Sequence, residues 1–179
     1  MKVRSTGSLL DQVREAKRQH RLKYAQSLFR KALDESRTSE DRALRATLYA
    51  ELAYVERSLG ALEHSKTHYL MAAGTYRVLE KPLQWAHKAR HAADILREQG
   101  KGDESGRLYA EVLEIYRANA DANRLDVANA IRGFALLKTQ VGSDRDAIAL
   151  WEEARDLYRS ENIEAGVEES ARQIESLRS

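Results

Sequence analysis

The chain has 179 residues, enough to bury a sizeable core, and carries 30 basic against 28 acidic side chains for a net charge of +2. That balance argues against a general nucleic-acid binder, and the lack of cysteine excludes disulfides, thiolate metal sites and a cysteine nucleophile. The opening Met1-Lys2-Val3-Arg4 has no apolar run behind it, and no stretch approaches the ~18 apolar residues of a membrane span, so a cytoplasmic protein without membrane contact is expected.

One proline, Pro82, and no cleanly alternating run leave helices as the building material. The apolar spacing predicts nine of them, at 8–19, 22–37, 40–59, 62–78, 83–99, 104–118, 122–141, 144–160 and 163–178. Residues 1–7 read as a short N-terminal segment and 8–179 as a single domain. Thr38 with Asp41 looks like a capping box, and Asp103 and Ser143 are expected to cap the helices that follow them. Gly60, Gly100 and Gly142 are placed to adopt positive φ and end the first helix of a pair, while Pro82 marks a break between pairs. The last helix has one narrow stripe, Ile163, Val167, Ala171, Ile174 and Leu177, and reads as a cap over the end of a helix stack.

The pattern repeats. Phe29, Tyr69, Tyr109 and Trp151 lie 40, 40 and 42 residues apart. Three residues after each stands Ala32, Ala72, Val112 or Ala154, and four before stands Ala25, Ser65, Ser105 or Ala147. Nine before come His20, Gly60, Gly100 and Gly142; seven after, in three copies, come Tyr76-Arg77, Tyr116-Arg117 and Tyr158-Arg159. Ala53, Ala93 and Ala135, seven before each glycine, are small enough to let two helix backbones approach beside the aromatic. A period in this range means that one unit cannot bury its apolar face without stacked neighbours, and it narrows function to binding on an extended surface.

Gly142…Ala147-x-x-x-Trp151…Ala154, with Gly100…Ser105-x-x-x-Tyr109…Val112 and Gly60…Ser65-x-x-x-Tyr69…Ala72, resembles the tetratricopeptide repeat. The long unit is similar to the extended variety of kinesin light chains, whose second helix runs on to the Tyr76, Tyr116 and Tyr158 positions. Val13 and His20 in the first copy and the serines at 65 and 105 depart from the family pattern. The resemblance implies an all-α, right-handed α-solenoid of four helix pairs plus the C-terminal cap. It also implies that the first helices line a concave groove which binds a peptide or a partner's tail, and that the protein is not an enzyme.

By that pattern the groove carries Thr47, Ala50, Tyr54 and Arg57, then His87, Arg90, Asp94 and Arg97, then Asn129, Arg132, Leu136 and Thr139. Arg14, Lys17 and the neighbouring Arg18 extend it in the first copy, leaving Asp94 as the single acid. Arginine forks suit carboxylates, so an acidic or extended peptide segment of a partner protein is the expected ligand. The alternative is that these side chains coat a solvated face and pair with acids of the same chain. The paired lysines and asparagines of chaperone-tail receptors are missing apart from Asn129, which makes a chaperone tail a poor fit.

An RNA-binding helical repeat would need aromatic platforms in the groove, where Tyr54 stands alone. A small-ligand sensor would need a polar centre around His87, Arg90 and Asn129. His64/His68 and His87/His91 have the i, i+4 spacing of metal ligands but no third ligand nearby in sequence; they read as surface histidines, and no metal or cofactor is expected. Glu152-Glu153 and Glu168-Glu169 read as ordinary exposed helix charge, and no phosphate loop or nucleophile motif appears.

Overall fold

The computed structural model describes residues 11–179 apart from Arg14 and Lys17. The segment 1–7, the start of the first expected helix at residue 8, and the Arg14 and Lys17 groove positions lie outside the described residues. Helical residues at 11–13, 15–16 and 18 form α1. They are followed by α2 (Leu22–Glu35) with a 3-10 turn (Ser36–Thr38), α3 (Arg42–Ser58), α4 (Leu62–Val78) and α5 (Pro82–Glu98). The chain continues through α6 (Gly102–Ala118), α7 (Arg124–Gln140), α8 (Asp144–Ser160) and α9 (Glu164–Arg178). The described residues contain no strand, and no helix among them is long and apolar enough to cross a membrane. The fold is the expected all-α helical repeat.

The chain divides into two compact units, Met1–Lys88 and Ala89–Ser179, with the division inside α5. In the first unit α2 packs on α3 and α3 on α4; in the second α6 packs on α7, α7 on α8 and α8 on α9.

The repeated positions are the core of each pair. Phe29, Tyr69, Tyr109 and Trp151 are all buried, as are Ala32, Ala72, Val112 and Ala154. The serines that replace alanine are buried as well, and each hydroxyl has a partner on the neighbouring helix. Ser65 Oγ donates to the Ala53 carbonyl at 2.7 Å, and Ser105 Oγ to the Ala93 carbonyl at 2.9 Å. A buried hydroxyl is tolerated because that bond offsets its desolvation. Tyr76, Tyr116 and Tyr158 are buried at the same seam. Their arginine neighbours turn outward: Arg77 lies over the Trp85 ring at 4.4 Å, Arg117 pairs with Glu153 at 2.8 Å and Arg159 with Asp156 at 2.8 Å.

Most helix pairs are joined by one kind of turn. Gly60, Gly100 and Gly142 have φ of 78°, 73° and 71°, and the next N–H reaches back five residues: Ala61 to Glu56, Lys101 to Leu96, Ser143 to Lys138. His20, Glu80 and Asn162 adopt the same left-handed conformation, with φ of 53°, 53° and 57°, at the ends of α1, α4 and α8. This turn corrects two of the expected caps. The residue before α6 is Lys101, so Asp103 lies inside the first turn, where its charge faces the positive helix end. Ser143 does precede α8, but at ψ 64° its hydroxyl makes no cap bond. A side-chain cap typically sits on a residue nearer the extended region, and the left-handed turn leads directly into the next helix. Where that turn is absent, side chains take over: Asp41 accepts from Leu44 N at 2.9 Å and Asn123 from Asp126 N at 3.0 Å. Asp41 is thus itself the cap, and Thr38 belongs to the 3-10 turn. Pro82 is the first residue of α5, where its missing N–H has no helical acceptor to lose.

The α9 stripe is rotated from its expected position. Gly166, Ser170 and Ile174 are the buried residues, whereas Val167 and Leu177 are half-buried and Ala171 is exposed. A glycine at 166 allows the close approach, because a Cβ there would lie 2.5 Å from the Tyr158 ring. Ser170 bonds its hydroxyl to the Gly166 carbonyl at 2.8 Å and so buries no unsatisfied oxygen.

Candidate functional site

In the second unit, the groove-position residues of α5 and α7 make several separate hydrogen-bonded sets with α6, α8 and α9. Arg90 donates to Asp94 Oδ2 at 2.8 Å, and the Tyr109 hydroxyl donates to Asp94 Oδ1 at 2.6 Å. Arg90 Nη2 also meets His91 Nε2 at 2.9 Å. Asp94 therefore takes a charge from its own helix and a phenol from α6. Gly133 on α7 makes the space, since a Cβ there would stand 2.6 Å from the Tyr109 hydroxyl and 2.9 Å from Asp94 Oδ1. Arg132 makes a two-pronged bond to Glu169 of α9, with both N···O distances 2.6 Å. The Tyr158 hydroxyl donates to Asn129 Oδ1 at 2.8 Å, and the Trp151 indole N–H donates to Thr139 Oγ1 at 3.3 Å.

These pairings change the charge that the sequence suggests. Arg90 and Arg97 show only 12% and 13% of their side chains to solvent, and Arg90 is neutralised by Asp94. Arg132 and Glu169 are 38% and 27% exposed, so the pair accessible from outside is mixed in sign. Glu169, read from sequence as ordinary exposed charge, is the second acid of this wall. Arg90 Nε and Arg97 Nε are buried without a protein acceptor, an unusual condition that native interiors avoid.

The phenols around the cluster hold their protons tightly. Burial raises Tyr109, Tyr116 and Tyr158 above the usual value near 10, with Asp94 adding to the rise at Tyr109. Tyr158 is pushed up to about 12, Arg132 pulling it partly back. A phenol whose pKa folding raises contributes stability that is complete below the unfolded value and is lost as pH climbs through the folded one. Urea midpoints should therefore fall between pH ~10 and 12, and Tyr158→Phe should flatten part of that fall. An equally steep decline in the Tyr158→Phe variant would show that this phenol does not contribute.

Apart from Leu136 on α7, the remaining described groove residues lie in the first unit. Tyr54 is 52% exposed, Arg57 is half-buried beside it on α3, and Thr47 pairs with the Tyr76 hydroxyl at 3.3 Å. His87 is half-buried on α5. Arg18 pairs with Glu15 on α1. Among the described residues no three His, Asp or Glu side chains converge as metal ligands. His64 is exposed, but His68 is not the surface histidine that its spacing suggested. Its Nδ1 lies 2.6 Å from Glu56, a fully buried carboxylate that also accepts from Gln26 and Arg30 at 3.3 Å. Sequence offers little signal for Glu56, since its equivalents one and two repeats on are Leu96 and Lys138.

Residues 86–160 match the family model described as tetratricopeptide repeat. No curated protein sequence matches the chain. Among solved structures, the chain is similar to the apo form of RapI, with a TM-score of 0.87 at 14% identity over 97% of this chain and 62% of that one. It is similar to BtubC (BKLC) from P. vanneervenii, with a TM-score of 0.71 at 17% identity over 97% and 81% of the two chains. It is also similar to nearly identical kinesin-light-chain TPR-like repeats from Podosopora anserina, with a TM-score of 0.68 at 13% identity over 96% and 93%. The chain thus spans less than two thirds of RapI, and at these identities the likeness is one of fold.

Proposed function

We propose that this tetratricopeptide-repeat chain is a binding scaffold, which holds an extended acidic segment of a partner protein against the wall formed by α5 and α7 in its second unit. The observation that carries the reading is the Arg132–Glu169 pair, the most exposed member of the polar cluster. Its guanidinium offers carboxylate-matched geometry, and Glu169 occupies it as an exchangeable carboxylate. A partner acid would replace Glu169 on Arg132, with Asn129 alongside, while the Arg90–Asp94–Tyr109 set keeps the wall rigid. The reading is of a binding protein rather than an enzyme, because the polar groups of the wall are engaged with one another in structural pairs. A nucleic acid is the weaker ligand: Asp94 and Glu169 stand among the arginines and would repel a phosphodiester chain.

Two substitutions with opposite expected signs test this. Glu169→Gln removes the internal competitor and should strengthen capture of the partner from native cell extract, identified by mass spectrometry. Arg132→Gln should abolish that capture, with melting temperature changed by less than about 5 °C, since a half-exposed ion pair contributes about 1 kcal/mol or less. Wild-type capture should weaken as salt rises. A partner held equally by all three proteins would rule out this wall.

A further inference from the structure

We infer that the first unit carries a second binding site, on the opposite face of α3, for an extended partner segment that places a carboxylate beside an apolar side chain. Two adjoining cavities of about 390 and 550 Å³ open there and share Arg45, Tyr49 and Met71. Arg42 lines the first cavity, and Arg37 and His68 line the second. Arg45, Tyr49 and Leu52 recur at i, i+4 and i+7, whereas Tyr54 falls about half a turn and Arg57 about a third of a turn away around the same helix. The site shares no residue with the α5/α7 wall.

Its two arginines on α3 are free to pair with a ligand. Among the described residues, neither the Arg42 nor the Arg45 side chain makes a hydrogen bond or an ion pair. The acids nearby are engaged: Asp34 with Arg37 at 2.9 Å, Glu56 with His68 at 2.6 Å, and Asp41 in the α3 cap. Glu40, exposed before the cap, is the remaining carboxylate beside Arg42 in the chain.

The repeat shows that these residues are not what the fold requires. One and two copies later, the Arg45 position holds Trp85, buried, and Val127, half-buried. The Tyr49 position holds Ala89 and Ile131, both buried. The Arg42 position holds Pro82 and then Arg124, which is paired with Glu161 at 3.3 Å. Where the two later copies close the seam with apolar side chains, this one opens it with a guanidinium and a phenol. Tyr49 is held in place by stacking on His68, with ring centroids 5.8 Å apart, and Met71 and Val78 leave 43% and 65% of their surface to solvent.

Arginine forks bind carboxylates in defined geometry, and thioether and aromatic surfaces accept apolar side chains of varied shape. Two cavities flanking one arginine and one ring suit a segment that runs across both, rather than a compact small anion.

The test is selection of random heptapeptides displayed on phage against the full chain, in parallel with Arg42→Gln/Arg45→Gln and Arg132→Gln variants. Wild type should enrich peptides with Asp or Glu beside Leu, Ile, Phe or Met. This acid-plus-apolar class should survive Arg132→Gln and disappear in the Arg42→Gln/Arg45→Gln protein, whereas acidic peptides held by the α5/α7 wall should do the reverse. A synthetic enriched peptide should shift the amide resonances of Tyr49 and Met71, and its affinity for that double variant should drop about tenfold or more. Enrichment without acids, enrichment unchanged by losing Arg42 and Arg45, or enrichment lost only with Arg132 would each overturn the proposal. Because both arginines are partly exposed and unpaired, a folding failure is not expected; retained helicity of the double variant by circular dichroism checks this.

Discussion

Trp151→Ala should destabilise the protein by about 3–5 kcal/mol, among the larger effects of any single substitution. Trp151 is fully buried with Ala135, Ala147 and Ile174, and Leu136, Ile148, Leu150 and Leu177 pack around that cluster. The alanines are too short to refill the space, and helix backbones on both sides limit collapse, so much of the cavity would persist. The lost indole also leaves Thr139 Oγ1 without its donor. Trp151→Phe should keep most of the packing and cost markedly less. Urea unfolding followed by circular dichroism measures both, and an unchanged midpoint for the alanine variant would show that the site is not the closed core described.

The repeat was legible because each of its positions has one physical task. An aromatic and two small residues recur in each copy, with a left-handed glycine in three of the four, and the four aromatics are buried where the spacing put them. The other turns were harder to see. Glu80 and Asn162 take the glycine's conformation against a cost of about 1–2 kcal/mol, so no residue type announces them. Asp103 and Ser143 do not cap for a related reason: a good capping residue has no role where the turn before it already supplies the geometry.

The candidate site was half legible. Counting back from Gly100 and Gly142 picks out Arg90, Asp94, Asn129 and Arg132, and in the second unit these engage Asp94, Tyr109, Tyr158 and Glu169 in three separate pairings. Counting along one helix face could not find Glu169, which arrives from α9, nor the role of Gly133, which is visible only as the space taken by Tyr109 and Asp94. A net charge inferred from one wall is unreliable when the neutralising acids come from another helix. His68 shows the same effect, since the Glu56 carboxylate that engages it sits on α3.

Removing residues after Asn162 should produce the second large effect. It deletes α9, which supplies Ile174 to the Trp151 cluster, lays Gly166 against the Tyr158 ring and brings Glu169 to Arg132. Trp151, Leu150 and Ile148 would lose cover, and the Arg178–Glu152 pair across α8 and α9 would go with them. An apolar helix face uncovered in this way favours association with a second copy or irregular aggregation. Light scattering should therefore show dimers or larger species, and the fraction that remains monomeric should unfold at a lower urea concentration. A charged substitution on the uncovered face, Leu150→Lys in the truncated chain, should reduce the association without restoring the urea midpoint, because it blocks contact between copies but replaces none of the lost packing. A truncated chain that stays monodisperse and as stable as the full one would mean that α9 is not a cap.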